Sequence, residues 1–289
     1  MKQPEGFIMP GNKNKVCKLI KSLYELKHAP KQWHPKFDEV ILSSGFKLNQ
    51  ADKCICSKFD NSRNGVIICL YVDDMLIFGT NKKQVDLAND FLSSSFSMKD
   101  MGEADVILGI RIKRENKGLA LSQSHYVEKV LKKFNCLNCS PVSTPMDPSV
   151  KLLPNTGEGV SQLEYSQVIS CLMYAMTNTR PDIAYVVGKL SRFTSNPITH
   201  HWEAIKRVLK YLKGTMNYGL VYAGFPSVLE GYTDASWITN LEGHSSTSCW
   251  VFLLGGGVIS RASKKKTCIT SSTMKSEFIA LAAAGKEAE

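Results

Sequence analysis

The sequence predicts an α+β protein whose first part mixes strands and helices, whose middle is helical and whose end is mixed again. Three observations carry this. Short apolar runs such as Val66 to Val72 and Met75 to Phe78 recur near both ends of the chain, and runs of that length rich in β-branched residues read as strands. Between them the period becomes helical, as at Ile205, Val208, Leu209 and Leu212. The stretch CSPVSTPMDPSVKLLPNTGEG, with Pro141, Pro145, Pro148 and Pro154, has no periodicity and reads as an extended linker.

In chain order, Ala29-Pro30 opens a helix with Trp33, Phe37, Val40 and Ile41 on one face, closed by Gly45 and kinked at Pro35. Val66 to Val72 and Met75 to Phe78, joined through Asp73-Asp74, make a hairpin. A helix over Val85 to Phe91 follows, then a strand pair over Val106 to Arg114 and Leu119 to Ser122, then a helix over Ser124 to Asn135 with Val127, Val130, Leu131 and Phe134 inward. Beyond the linker, Ser161 and Glu164 form a capping box before a helix to about Thr177, Pro181 starts another, and Thr199 to Lys213 is a third, ended by Gly214. Leu229 to Asp234, Ser248 to Leu254, Gly257 to Ser263 and Thr267 to Ser271 read as strands, and Met274 to Glu289 as a closing helix.

With 43% hydrophobic and 21% charged residues over 289, the chain is neither disordered nor fibrous and has room for about two domains. Its apolar runs fall far short of the roughly 20 residues that span a bilayer. The first residues lack the apolar core of a secretory signal, so the nine cysteines are expected as reduced thiols in an intracellular setting, cytoplasmic or nuclear. A net charge of +10, spread along the chain, attracts polyanions.

Asp73 and Asp74 are adjacent carboxylates at a hairpin tip between apolar strands. They read either as a plain polar turn or as oxygen ligands for a divalent cation that relieves their repulsion. Asp234, ending a strand, and Glu277, early on the closing helix, read singly as solvated acids. Lys129, Lys132 and Lys133 on one helix, and Lys206, Arg207, Lys210 and Lys213 on another, read equally as solvated faces or as phosphate contacts. Cys136 and Cys139 have knuckle spacing, but no second pair follows to complete a tetrahedral zinc site. His200-His201 reads as a polar helix start.

YVDDMLIFG closely resembles the active-site hairpin of reverse transcriptases. VCKLIKSLYELKHAPKQW, SFSMKDMGEADVILGI, PVSTPMDPSVKL and TRPDIAY resemble the polymerase region of copia-type LTR retrotransposons, the plant group in particular. The likeness continues through RFTSNPITHHWEAIKRVLKYLKGT to GYTDASW, STSCWVFLLGGG and SSTMKSEFIAL, the last three resembling the attached RNase H domain. It implies a partial reverse-transcriptase palm over 1–122, with antiparallel sheet and helices. A helical thumb and connection over 123–225, with the linker at 139–160, and an incomplete RNase H-like α/β domain over 226–289 follow. It also implies RNA-directed DNA synthesis with Mg²⁺, or Mn²⁺ in its place. Asp73 and Asp74 are then polymerase ligands, Asp234 and Glu277 RNase H ligands, and Tyr71 and the two lysine-rich helices contacts to nucleic acid. The partners implied are an RNA template, a DNA primer, an RNA–DNA hybrid and, where the palm is complete, deoxynucleoside triphosphates.

In the family a third polymerase aspartate precedes the MKQPEGF segment, and two more RNase H acids follow the closing helix. The sequence is therefore expected to be a polyprotein piece truncated at both ends and catalytically incomplete as an isolated chain; the other reading is a non-catalytic nucleic-acid-binding remnant of a decayed element. It also departs from the family at Glu25, where glycine is usual, at Arg261, where tryptophan is usual, and at Lys275, where an acid is frequent.

Overall fold

A computed structural model gives the fold and describes residues 3, 5–8, 10–18, 20, 29–115, 118–150, 152–155, 159–223, 228–240, 245–266 and 270–288. Glu25 lies outside them. The fold is mixed α and β, every sheet is antiparallel, and the chain forms two compact units, Met1–Glu103 and Ala104–Glu289.

In the first unit, helix α1 (Ala29–Ser43) leads into strands β1 (Lys47–Leu48), β2 (Ile55–Phe59), β3 (Gly65–Tyr71) and β4 (Asp74–Gly79), and helix α2 (Lys82–Ser95) follows. The strands hydrogen-bond in chain order. Side chains alternate across a strand, so Val66, Ile68 and Leu70 share one face of β3. That face is buried with Cys56 against Phe37 and Ile41 of α1 and Ala88 and Leu92 of α2. Helix α1 runs on through Pro35 and ends as its sequence implies. Gly45 takes φ +82°, its N–H donates to Leu42 O, and Phe46 N–H reaches back to Ile41 O, the paired bonds of a left-handed helix cap. Helix α2 is longer than its apolar period suggested, because the Asn81 side chain accepts from Gln84 N–H at 3.1 Å and satisfies an otherwise orphaned first-turn donor.

In the second unit, β5 (Val106–Ile107), β6 (Ile110–Glu115), β7 (Gly118–Ser122) and β8 (Gly219–Tyr222) form one sheet in chain order. β9 (Leu229–Asn240), β10 (Ser245–Leu254) and β11 (Gly257–Lys265) form another, with β10 in the middle. The single strand expected over Val106 to Arg114 is a hairpin instead. Ile107 faces Ile110 across Leu108 and Gly109, whose φ values of 51° and 73° fit the tight two-residue turns that match strand twist.

Helices α3 (Ser124–Lys133), α4 (Gln162–Asn178), α5 (Ala184–Leu190) and α6 (Thr199–Gly214) lie between β7 and β8 in sequence and form the main core. Val130, Leu131, Val168, Leu172, Val187, Leu190, Ile205 and Leu209 are all buried there. Each recurs at three- or four-residue spacing, which brings one stripe of each helix inward. The closing helix α7 (Thr273–Ala288) packs across β9 and β10. Of the strand expected over Thr267 to Ser271, residues 267–269 lie outside the described residues, and Thr270 and Ser271 are not in a strand. The proline-rich stretch is irregular and lies along the helical core, with Val142, Met146 and Leu152 partly buried against it. No helix among the described residues is long and apolar enough to cross a membrane.

Candidate metal and nucleic-acid sites

Tyr71 pairs with Asp74 across a two-residue loop, Val72-Asp73, so the hairpin turns as tightly as a hairpin can. Val72 holds φ 54°, a region β-branched residues avoid. The apolar flanks explain the position: Leu70 is buried two residues before the loop, whereas Tyr71, Val72, Asp73 and Asp74 are all exposed. Both carboxylates therefore stand at the tip of a rigid, core-anchored ribbon. Mg²⁺ keeps several waters and takes one or two carboxylates together with substrate phosphates, so the donor chemistry of Asp73 and Asp74 suits it. Among the described residues no group of three or more His, Cys, Asp or Glu side chains converges to hold an ion.

The second pair of acids is brought together. Asp234 lies in β9 opposite Cys249 of β10, and Ala235 N–H donates to Glu277 Oε1 of α7 at 3.2 Å. Ser272 caps α7 by accepting from Lys275 N–H at 3.2 Å, which sets Glu277 at the second turn, over β9. The Cys249 thiol donates to Asp234 O at 3.4 Å and lies 3.8 Å from Asp234 Oδ2. Burial and the negative charges of Asp234 and Glu277 push that thiol up. Two oxygen donors from separate elements also suit a hard divalent ion. Arg261 is directed elsewhere: it donates to Met176 O at the end of α4. Lys275 is exposed beside its cap.

Of the basic residues, Lys129, Lys132 and Lys133 are exposed on α3, with Lys132 on Glu128 at 2.6 Å. On α6, Lys206 pairs with Glu203 at 2.9 Å. Arg207 is engaged within the protein: it donates to Thr144 Oγ1 at 3.0 Å and lies 3.6 Å from Asp147, pinning the proline-rich stretch. With Lys210 these residues border a cleft of about 290 Å³ floored by Val142, Met146 and Val186. Lys213 is half-buried one turn on. The Cys136–Cys139 pair is a local contact, Cys139 Sγ donating to Cys136 O at 2.8 Å.

Two groups escape a reading of the sequence. Arg180 is 1% exposed and grips Asp182 with two bonds of 2.9 and 2.7 Å, while Tyr211 OH donates to the same carboxylate at 2.8 Å and Arg180 Nη1 donates to Thr215 O at 3.0 Å. Burial opposes ionisation of Asp182, yet Arg180 and Tyr211 hold its carboxyl below the usual range. His201 is the polar helix start that the sequence predicts, in the first turn of α6, but its side chain is fully buried. Its Nδ1 accepts from Ile198 N–H at 3.2 Å and its Nε2 donates to Leu153 O at 3.0 Å, so the neutral ring is fully bonded.

Residues 1–148 match the family described as reverse transcriptase (RNA-dependent DNA polymerase). The chain is 45% identical, over 99% of its length, to the retrovirus-related Pol polyprotein from transposon TNT 1-94 of Nicotiana tabacum, covering 22% of that protein. It is 37% identical, again over 99% of its length, to the retrovirus-related Pol polyprotein from transposon RE1 of Arabidopsis thaliana, covering 20%. It thus spans about a fifth of these polyproteins. It is also 33% identical, over 76% of its length, to an uncharacterized mitochondrial protein of Arabidopsis thaliana, covering 92% of that protein. No solved structure matches.

Proposed function

This chain belongs to the reverse transcriptase (RNA-dependent DNA polymerase) family and is a segment of the retrotransposon Pol type, and on that premise we propose that its Asp73–Asp74 hairpin serves RNA-directed DNA synthesis. One observation supports this above the others: the two-residue loop exposes both carboxylates at the end of a ribbon whose next residues inward are core. On this reading residues 1–122 belong to the palm, 123–225 to the thumb and connection, and 226–289 to an RNase H-like domain.

Asp73 and Asp74 offer hard oxygens at a fixed place, because the strands behind them cannot shift register without exposing Ile68 and Leu70. Mg²⁺ bound there would favour the ionised primer 3′ hydroxyl and offset the charge of the incoming triphosphate. Tyr71, exposed beside the loop, offers a face for a base to stack on. The lysines of α3 and α6 would follow phosphates of a primer–template duplex without reading its sequence. Asp234 and Glu277, joined through Ala235 N–H, would hold the ion that serves hydrolysis of the RNA strand of a hybrid.

Because the isolated chain is expected to be catalytically incomplete, primer extension on an RNA template with Mg²⁺ or Mn²⁺, with this segment carried in a whole Pol polyprotein and run beside Asp73→Asn, tests the assignment. The expected outcome is that metal-dependent product is lost in the variant while duplex binding is retained. Product that survives Asp73→Asn overturns the role of the hairpin.

A further inference from the structure

Three side chains of the first unit have no part in that chemistry. His34 and Asp38 stand four residues apart on α1 and so share a helix face, and Cys54 lies across from them, immediately before β2. His34 Nδ1 is 3.1 Å from Asp38 Oδ2, and His34 Nε2 is 3.7 Å from Cys54 Sγ. An ionised carboxylate only accepts hydrogen bonds, so Nδ1 carries the ring proton and Nε2 turns its lone pair to the thiol. The cysteine is held from both sides: its N–H donates to Asp52 Oδ1 at 2.9 Å, and Leu70 N–H donates to its carbonyl at 2.8 Å. Cys54 is partly exposed, whereas its neighbour Cys56 is buried.

We propose that Cys54 is a covalent modification site for small uncharged electrophiles, with His34 as the base and Asp38 as the residue that positions it. As Sγ bonds to the electrophilic carbon, the thiol proton passes to His34 Nε2 and the leaving group departs with its electron pair. The imidazolium then releases its proton to water, while Nδ1–H stays on Asp38. The charged groups acting on Cys54 are Asp52 from the loop before β2 and Asp38 from α1. Burial, then Asp52 and Asp38, hold the thiol protonated, so the reaction runs through the base and not through a standing thiolate. The same two carboxylates repel anionic reagents, which is why the reagent class is uncharged.

Site-resolved alkylation of the full chain with iodoacetamide between pH 5 and 9, read by mass spectrometry, tests this, with exposed Cys17 as internal reference. The Cys54 rate is expected to level off within this range, as reaction through a neighbouring base requires, while the Cys17 rate follows a different profile. At pH 7, His34→Gln is expected to slow Cys54 about a hundredfold and Asp38→Asn less, at the low end of a general-base contribution. Iodoacetate should discriminate against Cys54 relative to Cys17. A Cys54 profile that tracks Cys17 in the unmodified sequence overturns the proposal, whether or not the variants fold. So does an unchanged Cys54 rate in a natively folded His34→Gln.

Discussion

Arg180 and His201 show how single side chains hold the helical core. Arg180→Leu removes the cation from a pair whose carboxylate also takes the Tyr211 hydroxyl, leaving a charge without its main partner. Because Asp182 keeps 31% of its side-chain surface, a loss of roughly 2–4 kcal/mol is expected, at the lower end for a broken buried pair, and urea unfolding measures it. Burial pushes the His201 imidazole below the usual histidine range, against the opposing bond to Leu153 O. With the folded value below the unfolded one, about 6.5, its contribution is complete above that pH and falls away as pH drops below it. Urea midpoints at pH 7, 6 and 5 should therefore decline more steeply in the native sequence than in His201→Gln. Asp182, also depressed on folding, acts lower: its contribution is present above about 3.9 and is lost as pH falls through the folded value. Neither network was legible, because Thr215 and Tyr211 reach the Arg180–Asp182 pair, and Leu153 reaches His201, from far along the chain, and local pattern carries no signal for such partners. The Asp73–Asp74 pair was legible because apolar runs on both sides leave the turn no other place.

Among the elements, those with a strong period and a chemical stop could be read. Helix α1 ends where glycine says it must, and Gly45→Ala tests the reason. A Cβ there would meet nothing nearer than Lys58 Cε at 4.0 Å, so the penalty is backbone alone. A loss of about 1–2 kcal/mol in thermal or urea unfolding is expected from forcing alanine to φ +82°. Strands β1, β2 and β8 are hidden in the sequence because each is only two to five residues long, so their pairing decides them more than their composition. β5 and β6 read as one strand because Leu108, at positive φ, does not advertise a turn. On α6 the four basic residues look alike in sequence, yet Arg207 is spent on Thr144 and Asp147.

At the scale of the molecule, a charge of +10 would make the proposed binding to an RNA–DNA hybrid salt-sensitive and indifferent to sequence. Fluorescence anisotropy from low to moderate salt should show log affinity falling linearly with log salt. Replacing Lys129, Lys133, Lys210 and Lys213 together by alanine should shallow that slope by up to about one unit for each phosphate no longer neutralised. A slope that does not change would remove α3 and α6 from the interface. Arg207→Ala should instead loosen the proline-rich stretch, seen as faster amide exchange over 141–150. The mixed α and β character and the order of the helices were readable; the split at Glu103 and Ala104 was not, because no composition change marks it.

The pairing of Ser122 with Gly219 closes one sheet only after the whole helical layer has been made. During translation β7 leaves the ribosome long before β8 exists, so its outer edge stays open while α3 to α6 are added, and such long-range closure slows folding. A Cβ on Gly219 would meet Leu121 O at 2.2 Å, so even the arriving strand tolerates no side chain at its first residue. A premature stop or frameshift anywhere between those two strands would release a polypeptide with an unpaired edge, ready to join its copies. A lesion before Gly219 therefore leaves that edge open, whereas one beyond Tyr222 falls after the sheet's last strand has been made.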